Sequence, residues 1–312
     1  MPLRIVFCGT PAFALPSLRR LIAQPDFRIE AVVTQPDRPR GRGGEIAVPP
    51  VKNAAVEAGV AVYQPEKIKS EAAYEFFQRI APDVAVIIAY GQIVSQRLLD
   101  IPRLGWINLH ASLLPKYRGA APINWAIVNG ETRTGVTTMQ VSAGLDTGPI
   151  LLAGETDIGP DEAAPELAAR LAEIGAPLIV ETLHKLDRGE LAPRRQDDSQ
   201  ATFAPLLKKE DGRVDWSQPA RAVHNRLRGL QPWPGAFTSF RGRTCHIWGR
   251  PAQGSKSATA PGAIALSKEE LAVACGEGTA LRLELVQLEG RKRVTAREFA
   301  SGARLQAGDR FE

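Results

Sequence analysis

Two short segments of this 312-residue chain carry residue types and spacings suited to chemistry: Asn108-Leu109-His110-Ala111-Ser112-Leu113-Leu114-Pro115 and Leu145-Asp146-Thr147-Gly148. The first opens on an apolar run, residues 106–109, that reads as a strand. Side chains alternate along a strand, so Asn108 and His110 project to the same face. A polar pair at the end of a strand otherwise built for burial needs hydrogen-bond partners or a role. The plain alternative is a satisfied core histidine beside a turn-forming asparagine. Together with Asp146, the pair offers an amide, an imidazole and a carboxylate to one pocket. Ser112 stands two residues after His110 and could complete a serine-nucleophile triad, but the Gly-x-Ser-x-Gly turn that exposes such a serine is missing. Without a nucleophilic side chain, the set suits direct acyl transfer to an incoming amine. His110 and Asn108 would hold the oxyanion. Asp146 would fix the imidazole or take the amine's proton, directly or through water. A cationic His110 implies a bell-shaped pH profile and a neutral one a rising limb alone; the sequence leaves both open.

The elements that must position these groups alternate in kind. Strands are predicted at 4–9, 29–34, 60–63, 83–90, 106–109 and 136–141, and helices at 12–23, 50–58, 70–80, 95–99, 120–128 and 163–186. Alternation of this sort implies a mostly parallel, Rossmann-like α/β sheet covered on both faces, with ligands bound beyond the carboxyl ends of the strands. Asn108 and His110 sit at such an end. The first turn, Gly9-Thr10-Pro11-Ala12-Phe13-Ala14, has one glycine where a dinucleotide fingerprint has three, which disfavours a nicotinamide enzyme.

Residues 190–208 are polar and proline-broken, as a linker is. Beyond them, after a helix at 220–230, short apolar runs at 236–240, 245–248, 262–266, 271–274 and 280–288 are separated by glycines. They predict a small OB-like β-barrel. The expected organisation is therefore a catalytic domain over 1–189, the linker, and a C-terminal domain over 209–312. Apolar residues make up 44% and charged residues 23%, enough to bury a sizeable core. No apolar run is long enough for a membrane helix or a signal-peptide core. The three cysteines (Cys8, Cys245, Cys275) are far apart and lack metal spacing, so a cytoplasmic, metal-free protein is expected. No heptad or apolar interface helix appears, and a monomer is expected. Residues 1–198 carry a net charge of −2 and residues 199–312 one of +7. Basicity confined to one end points to a polyanionic partner there, nucleic acid above all, or to a solvated basic surface.

The ordered motifs resemble those of the formyltransferases that use 10-formyltetrahydrofolate. They are Asn108-x-His110, Ser112-Leu113-Leu114-Pro115, Arg118-Gly119-Ala120-Ala121-Pro122 and Asp146-Thr147-Gly148. Phe7-Cys8-Gly9-Thr10-Pro11, Thr34-Gln35-Pro36-Asp37-Arg38, residues 86–91, Trp233-Pro234-Gly235 and Gly290-Arg291-Lys292-Arg293-Val294 extend the likeness over nearly the whole chain. The resemblance implies formyl transfer to the methionyl amine of initiator methionyl-tRNA, with Asn108, His110 and Asp146 as the catalytic trio. It implies folate contacts at Ser112, Leu113, Leu114 and Pro115, at Ile88, Ala89, Tyr90 and Gly91, and at Val141 and Gly144. It also implies that the Gly/Pro-rich loop 35–50 meets the acceptor stem through Arg38, Arg40 and Arg42. Lysines expected after Arg42 are replaced by Gly43-Gly44-Glu45, so the grip would lean on these arginines and on the C-terminal domain. There Lys208, Lys209, Arg291, Lys292 and Arg293 are the named contacts. Arg213, Arg221, Arg226, Arg228, Arg241 and Arg243 add to the same charge. Trp233 is expected to be a buried anchor, since tryptophan is usually well buried.

Other readings share parts of this evidence. The acceptor could be a sugar-nucleotide amine, a ribonucleotide glycinamide or water. A glycinamide enzyme would be expected to stop near residue 200, and no decarboxylase or dehydrogenase portion is present. A nucleic-acid-binding module on a degenerate enzyme fold is opposed by the intact Asn108, His110 and Asp146.

Overall fold

The computed structural model describes residues 1–40, 45–252, 259–267, 270–306 and 308–312. The chain divides into two compact units, one of Met1–Pro122, Arg133–Asp157 and Ala168–Ala204, the other of Ile123–Thr132, Ile158–Leu167 and Pro205–Glu312. The first is built on seven strands: β1 (Leu3–Gly9), β2 (Phe27–Val33), β3 (Val62–Tyr63), β4 (Val84–Ile88), β5 (Trp106–His110), β6 (Arg133–Gln140) and β7 (Ile150–Asp157). They lie side by side as β7-β6-β5-β4-β1-β2-β3. The first five are parallel, while β6 pairs antiparallel with β5 and β7 antiparallel with β6. Helices α1 (Leu15–Ile22), α2 (Pro50–Glu57), α3 (Glu71–Ile80) and α4 (Gln96–Leu99) connect the parallel strands; α5 (Pro122–Val128) and α6 (Ala164–Asp187) follow. The strand order reverses between β1 and β4, which opens the crevice where such sheets bind ligands.

Local chemistry explains these elements. Central strands β1, beyond Arg4, and β4 read as apolar runs because both faces are covered, and Ile5, Val6, Phe7, Val84, Ala85 and Val86 are fully buried. Ser70 caps α3 by accepting the Ala73 N–H, and Ala81 ends it in the left-handed conformation at φ 45°. The predicted helix over 12–23 starts as a 3₁₀ turn, Ala12–Ala14, before α1. Strand β7 was not anticipated. Its alternation is interrupted by Gly154, whose missing side chain leaves room for Ile174 of α6, 3.3 Å from where a Cβ would stand. In α6 itself, a Cβ on Gly175 would lie 2.5 Å from Leu109 Cδ2. A larger residue there would have to displace the Leu109 side chain, so glycine lets the helix press closely on the face of β5 opposite Asn108 and His110.

The second unit is an antiparallel sheet: β8 (Phe237–Phe240), β9 (Arg243–Pro251), β10 (Ile264–Leu266), β11 (Leu271–Ala274) and β12 (Ala280–Leu288), ordered β8-β9-β12-β11-β10, with β13 (Val294–Thr295) against β12. Helices α7 (Ala220–Gly229) and α8 (Ala296–Ala303) accompany it. The C-terminal residues hydrogen-bond to both edges: Ser239 and Glu312 exchange N–H···O bonds, and the Phe311 N–H donates to Gly262 O. This segment closes the sheet into a small barrel, with Trp216, Phe240, Phe299 and Phe311 in its core. Gly262, at φ 85°, is required because a Cβ would collide with the Phe311 carbonyl. The anticipated OB-like barrel is therefore present. Trp233 corrects the expectation of burial, being 54% exposed. It sits in the turn between α7 and β8, and turns run over the surface; the buried tryptophan of this unit is Trp216, whose indole N–H donates to Thr238 Oγ1 at 2.9 Å.

At the amino ends of β1 and β4, the Asp83 carboxylate accepts from the Arg4 N–H (2.9 Å) and from Arg103 Nε (2.7 Å). Burial opposes its ionisation, but the two donors and the charges of Arg103 and Arg4 outweigh that and hold the carboxyl below its ordinary value. A folded-state pKa below the unfolded one stabilises the fold fully above the unfolded value, and this is lost as pH falls through the folded value. Asp83→Asn should thus cost about 1–2 kcal/mol at neutral pH. In chemical denaturation at several pH values, the deficit should shrink below about pH 4, near the unfolded carboxylate value; a deficit constant from pH 7 to pH 2 would contradict this.

Candidate active site

The carboxyl ends of β4 and β5 present the predicted residues together. Asn108 and His110 lie on one face of β5, and the loop following β6 returns across it to deliver Asp146. The Asp146 carboxylate accepts the Gly119 N–H at 2.9 Å through Oδ2 and the Asn108 amide at 3.4 Å through Oδ1. His110 Nδ1 stands 3.6 Å from Oδ2. The pairing is semi-enclosed, with the His110 side chain 6% and the Asp146 side chain 16% exposed.

The second imidazole nitrogen decides the tautomer. His110 Nε2 is 2.9 Å from the Tyr117 carbonyl, which can only accept, so Nε2 carries a hydrogen. The neutral ring then presents its bare Nδ1 to the carboxylate, and a second proton arrives between Nδ1 and Asp146. Nδ1 is therefore the ring nitrogen not engaged by the Tyr117 carbonyl. Both supports of this geometry are locally strained: Tyr117 and Asp146 hold φ 59° and 50°, and Ala89, at the end of β4, holds 48°. Left-handed non-glycine residues cost roughly 1–3 kcal/mol each and cluster where the surroundings over-determine them.

The segment after His110 is fastened from below. The fully buried Thr137, opposite His110 in the β5–β6 ladder, donates its hydroxyl to Ser112 O at 2.7 Å and accepts the Leu114 N–H at 3.2 Å. Ser112 Oγ donates to Lys116 O at 2.6 Å, so this hydroxyl closes a turn and is not presented as a nucleophile.

Comparison with known proteins gives the family. A family model described as formyl transferase matches residues 3–183, and one described as formyl transferase, C-terminal domain, matches 206–304. The chain belongs to the formyl transferase family. It is 57% identical to a methionyl-tRNA formyltransferase of Solibacter usitatus, over 99% of this chain and 98% of that protein. It is 50% identical to a methionyl-tRNA formyltransferase of Geobacter metallireducens, over the same shares. Among solved structures it shares the fold of WlaRD, a sugar 3N-formyl transferase in the presence of dTDP and 5-N-formyl-THF. That match has a TM-score of 0.70 and 16% identity, and covers 94% of this chain and 100% of that one. It also resembles HypX from Aquifex aeolicus in complex with tetrahydrofolic acid, with a TM-score of 0.63 and 16% identity over 98% of this chain and 48% of that one.

The residues expected at a folate site line two sides of the strand ends. Ile88, Ala89, Tyr90 and Gly91 turn away from β4, Gly91 at φ 88°. Tyr90, Val94, Leu98, Leu99 and Trp106 form one apolar cluster with Val141 packed on it. Val141 also borders an open groove with Leu99, Trp106 and Ser142, to which none of the trio belongs. Gly144 is crowded by Thr147, which leaves no space for a side chain there. Of Ser112, Leu113, Leu114 and Pro115, Ser112 and Leu114 turn their side chains inward, Leu114 onto Met139 and Ile150.

The basic residues divide into two kinds. Arg38, in a small hairpin of Arg38–Arg40 and Glu45–Ala47, is exposed and pairs with Glu66 at 3.1 Å. Arg40 ends the first strand of that hairpin, and Arg42 lies outside the described residues. Lys208, Lys209, Arg291, Lys292 and Arg293 are exposed, and the Arg293 guanidinium stacks on Trp248 at 4.0 Å. Arg228 is instead buried, donating to Gly159 O and Glu162 O. Arg226 donates to Asp211 O, and Arg241 pairs with Asp309. Arg228 serves the second unit's own packing, which corrects its assignment to a free basic surface, while Arg226 and Arg241 keep part of their side chains exposed.

Thr137 was not anticipated, since nothing in its sequence neighbourhood marks it; its role arises from ladder register. Thr137→Val, close in shape but lacking the hydroxyl, should cost about 1–3 kcal/mol because the Leu114 N–H loses its partner. In formyl-transfer kinetics kcat/KM should fall as the 112–115 segment loosens. Unchanged stability and unchanged kcat/KM would contradict this role.

Proposed function

We propose that this chain transfers a formyl group from 10-formyltetrahydrofolate to the amino group of methionine on initiator methionyl-tRNA. The observation that carries the chemistry is the Asp146 carboxylate, held by the Gly119 N–H while facing both His110 Nδ1 and Asn108 Nδ2. Full-length similarity to proteins named methionyl-tRNA formyltransferase supports the acceptor.

In this reading the amine nitrogen adds to the formyl carbon, forming the new C–N bond while charge gathers on the formyl oxygen. Asn108 Nδ2–H and His110 Nδ1–H, once protonated, donate to that oxygen; such preorganised donors act most strongly in a semi-enclosed site. Asp146 stabilises the imidazolium and receives the proton leaving the amine, directly or through one water. The donor's C–N bond then breaks, and its nitrogen leaves with a proton returned from the same pair. Ile88, Ala89, Tyr90 and Gly91, Ser112, Leu113, Leu114 and Pro115, and Val141 and Gly144 are the residues that would hold the donor, largely through main chain. The exposed Arg38, Lys208, Lys209, Arg291, Lys292 and Arg293, together with Arg40 and Arg42, would meet phosphates. In this reading the protein works in the cytoplasm as a monomer.

The test is transfer to charged initiator tRNA with the formyl donor, run beside elongator tRNA and a sugar-nucleotide amine. The initiator should be formylated preferentially, and transfer without any need for tRNA would overturn the reading. His110→Ala should lower kcat by about 100-fold or more with little change in either KM; a variant within twofold of the parent would remove His110 from the mechanism. Removing Arg291, Lys292 and Arg293 together should weaken tRNA binding and flatten its dependence on salt, since each phosphate contact contributes to that slope. An unchanged slope would mean a solvated surface only.

A further inference from the structure

Gln196 lies in the stretch that reads as linker, yet it is only 5% exposed, and all four of its amide's main hydrogen-bonding positions are used. Its Nε2 donates to Asp146 O at 2.8 Å and to Gly148 O at 2.7 Å. Its Oε1 accepts from Arg118 Nε at 3.0 Å and Nη2 at 2.8 Å. Arg118, itself 4% exposed, is anchored by Asp198 at 2.7 Å. The orientation of the amide follows from its partners. Two carbonyls require N–H donors on one side and a guanidinium requires an acceptor on the other, so a flipped amide would face like against like at every contact.

The arrangement converges on Asp146. Gln196 holds the carbonyl of Asp146 itself and that of Gly148 two residues on. The neighbour of Arg118, Gly119, holds the Asp146 side chain through its N–H. The left-handed turn at Asp146, φ 50°, is thus fixed from its main chain by Gln196 and from its carboxylate by Gly119, with Arg118 joining the two supports. Gly119 is fitted to this task, being at φ 124° with space for a Cβ denied by Ala204 O at 2.6 Å.

We infer that Gln196 is a positioning residue for the transfer reaction, its two amide hydrogens setting the turn that aims the Asp146 carboxylate at His110 Nδ1 and Asn108. The inference rests on the proposed role of Asp146 in proton handling. A carboxylate displaced by an ångström loses its near-attack placement, for which losses of about 100-fold are ordinary. Binding surfaces for tRNA and donor are not touched by Gln196, so the loss belongs in kcat.

Gln196→Glu isolates the claim. It retains length and the acceptor for Arg118 but replaces both donors with an oxygen facing two carbonyls. Gln196→Asn keeps the amide but is too short to span both carbonyls. Both are compared with Asp146→Asn and with the double variant Gln196→Glu/Asp146→Asn, folding being followed by thermal melting. The expected result is a kcat lowered about 10- to 100-fold for Gln196→Glu, a smaller fall for Gln196→Asn, and both KM values within about twofold. In the Asp146→Asn background, Gln196→Glu should have no further effect, because it acts through a carboxylate already removed. A Gln196→Glu kcat within twofold of the parent, or losses that multiply in the double variant, would overturn the inference while leaving Asp146's role standing. An Asp146→Asn enzyme with near-parental kcat would overturn the proposed role of Asp146 and the inference with it. Should Gln196→Glu fail to fold, Gln196→Asn decides alone: a kcat loss with unchanged KM supports the inference, and a parental kcat overturns it.

Discussion

One constraint organises the site: a partly buried carboxylate must face an imidazole nitrogen and an amide without collapsing onto either. Left alone, Asp146 would swing toward the nearest donor. Its Oδ2 is instead held by a main-chain N–H from Gly119, a donor that cannot move without moving the chain. His110 is held from the opposite side by the Tyr117 carbonyl, which commits Nε2 and leaves Nδ1 facing the carboxylate; Nδ1 is the working atom in the proposed mechanism. The distances that result, 3.6 Å to Nδ1 and 3.4 Å to the Asn108 amide, are longer than tight hydrogen bonds. Such spacing leaves the groups available to a reacting molecule, and catalytic contacts commonly tighten only when substrate is present.

The remainder of the first unit can be read as support for that constraint. Gly175 brings α6 onto Leu109, so β5 is backed by packed atoms on the face away from the chemistry. Thr137 stitches the chain on the far side of His110, and Leu114 sinks onto Met139 and Ile150. Strained conformations at Ala89, Tyr117 and Asp146 fall at the three turns that meet here. Their cost is met by burial and hydrogen bonding nearby, as is usual where a turn serves function rather than stability.

Much of this was legible in the sequence, for identifiable reasons. Strands β1, β4 and β5 announce themselves because central parallel strands are apolar on both faces, and the two-residue spacing of Asn108 and His110 is a direct consequence of strand geometry. Other features were not readable. The side-chain alternation of strand β7 is interrupted by a glycine whose purpose appears only when α6 is packed against it. Thr137 and Gln196 act across distances in sequence that no local pattern records. Helix α8 did carry a signal, the Thr295-x-x-Glu298 capping box in which each side chain satisfies the other's backbone N–H, and a search for that motif would have found it. Trp233 and Arg228 failed in opposite directions, one exposed and one buried. For both, the residue type misleads: Arg228 is buried because its guanidinium finds the Gly159 and Glu162 carbonyls, and Trp233 is exposed because it lies in a surface turn.

That His110 works through Nδ1, with Nε2 committed to the Tyr117 carbonyl, is tested most directly by nitrogen NMR on histidine-labelled protein through a pH titration. His110 should appear in its neutral form as the Nε2-protonated tautomer and gain its second proton at Nδ1, with the signals assigned by comparison with His110→Ala. A neutral His110 carrying its hydrogen on Nδ1 would contradict the geometry from which the proposed chemistry is built.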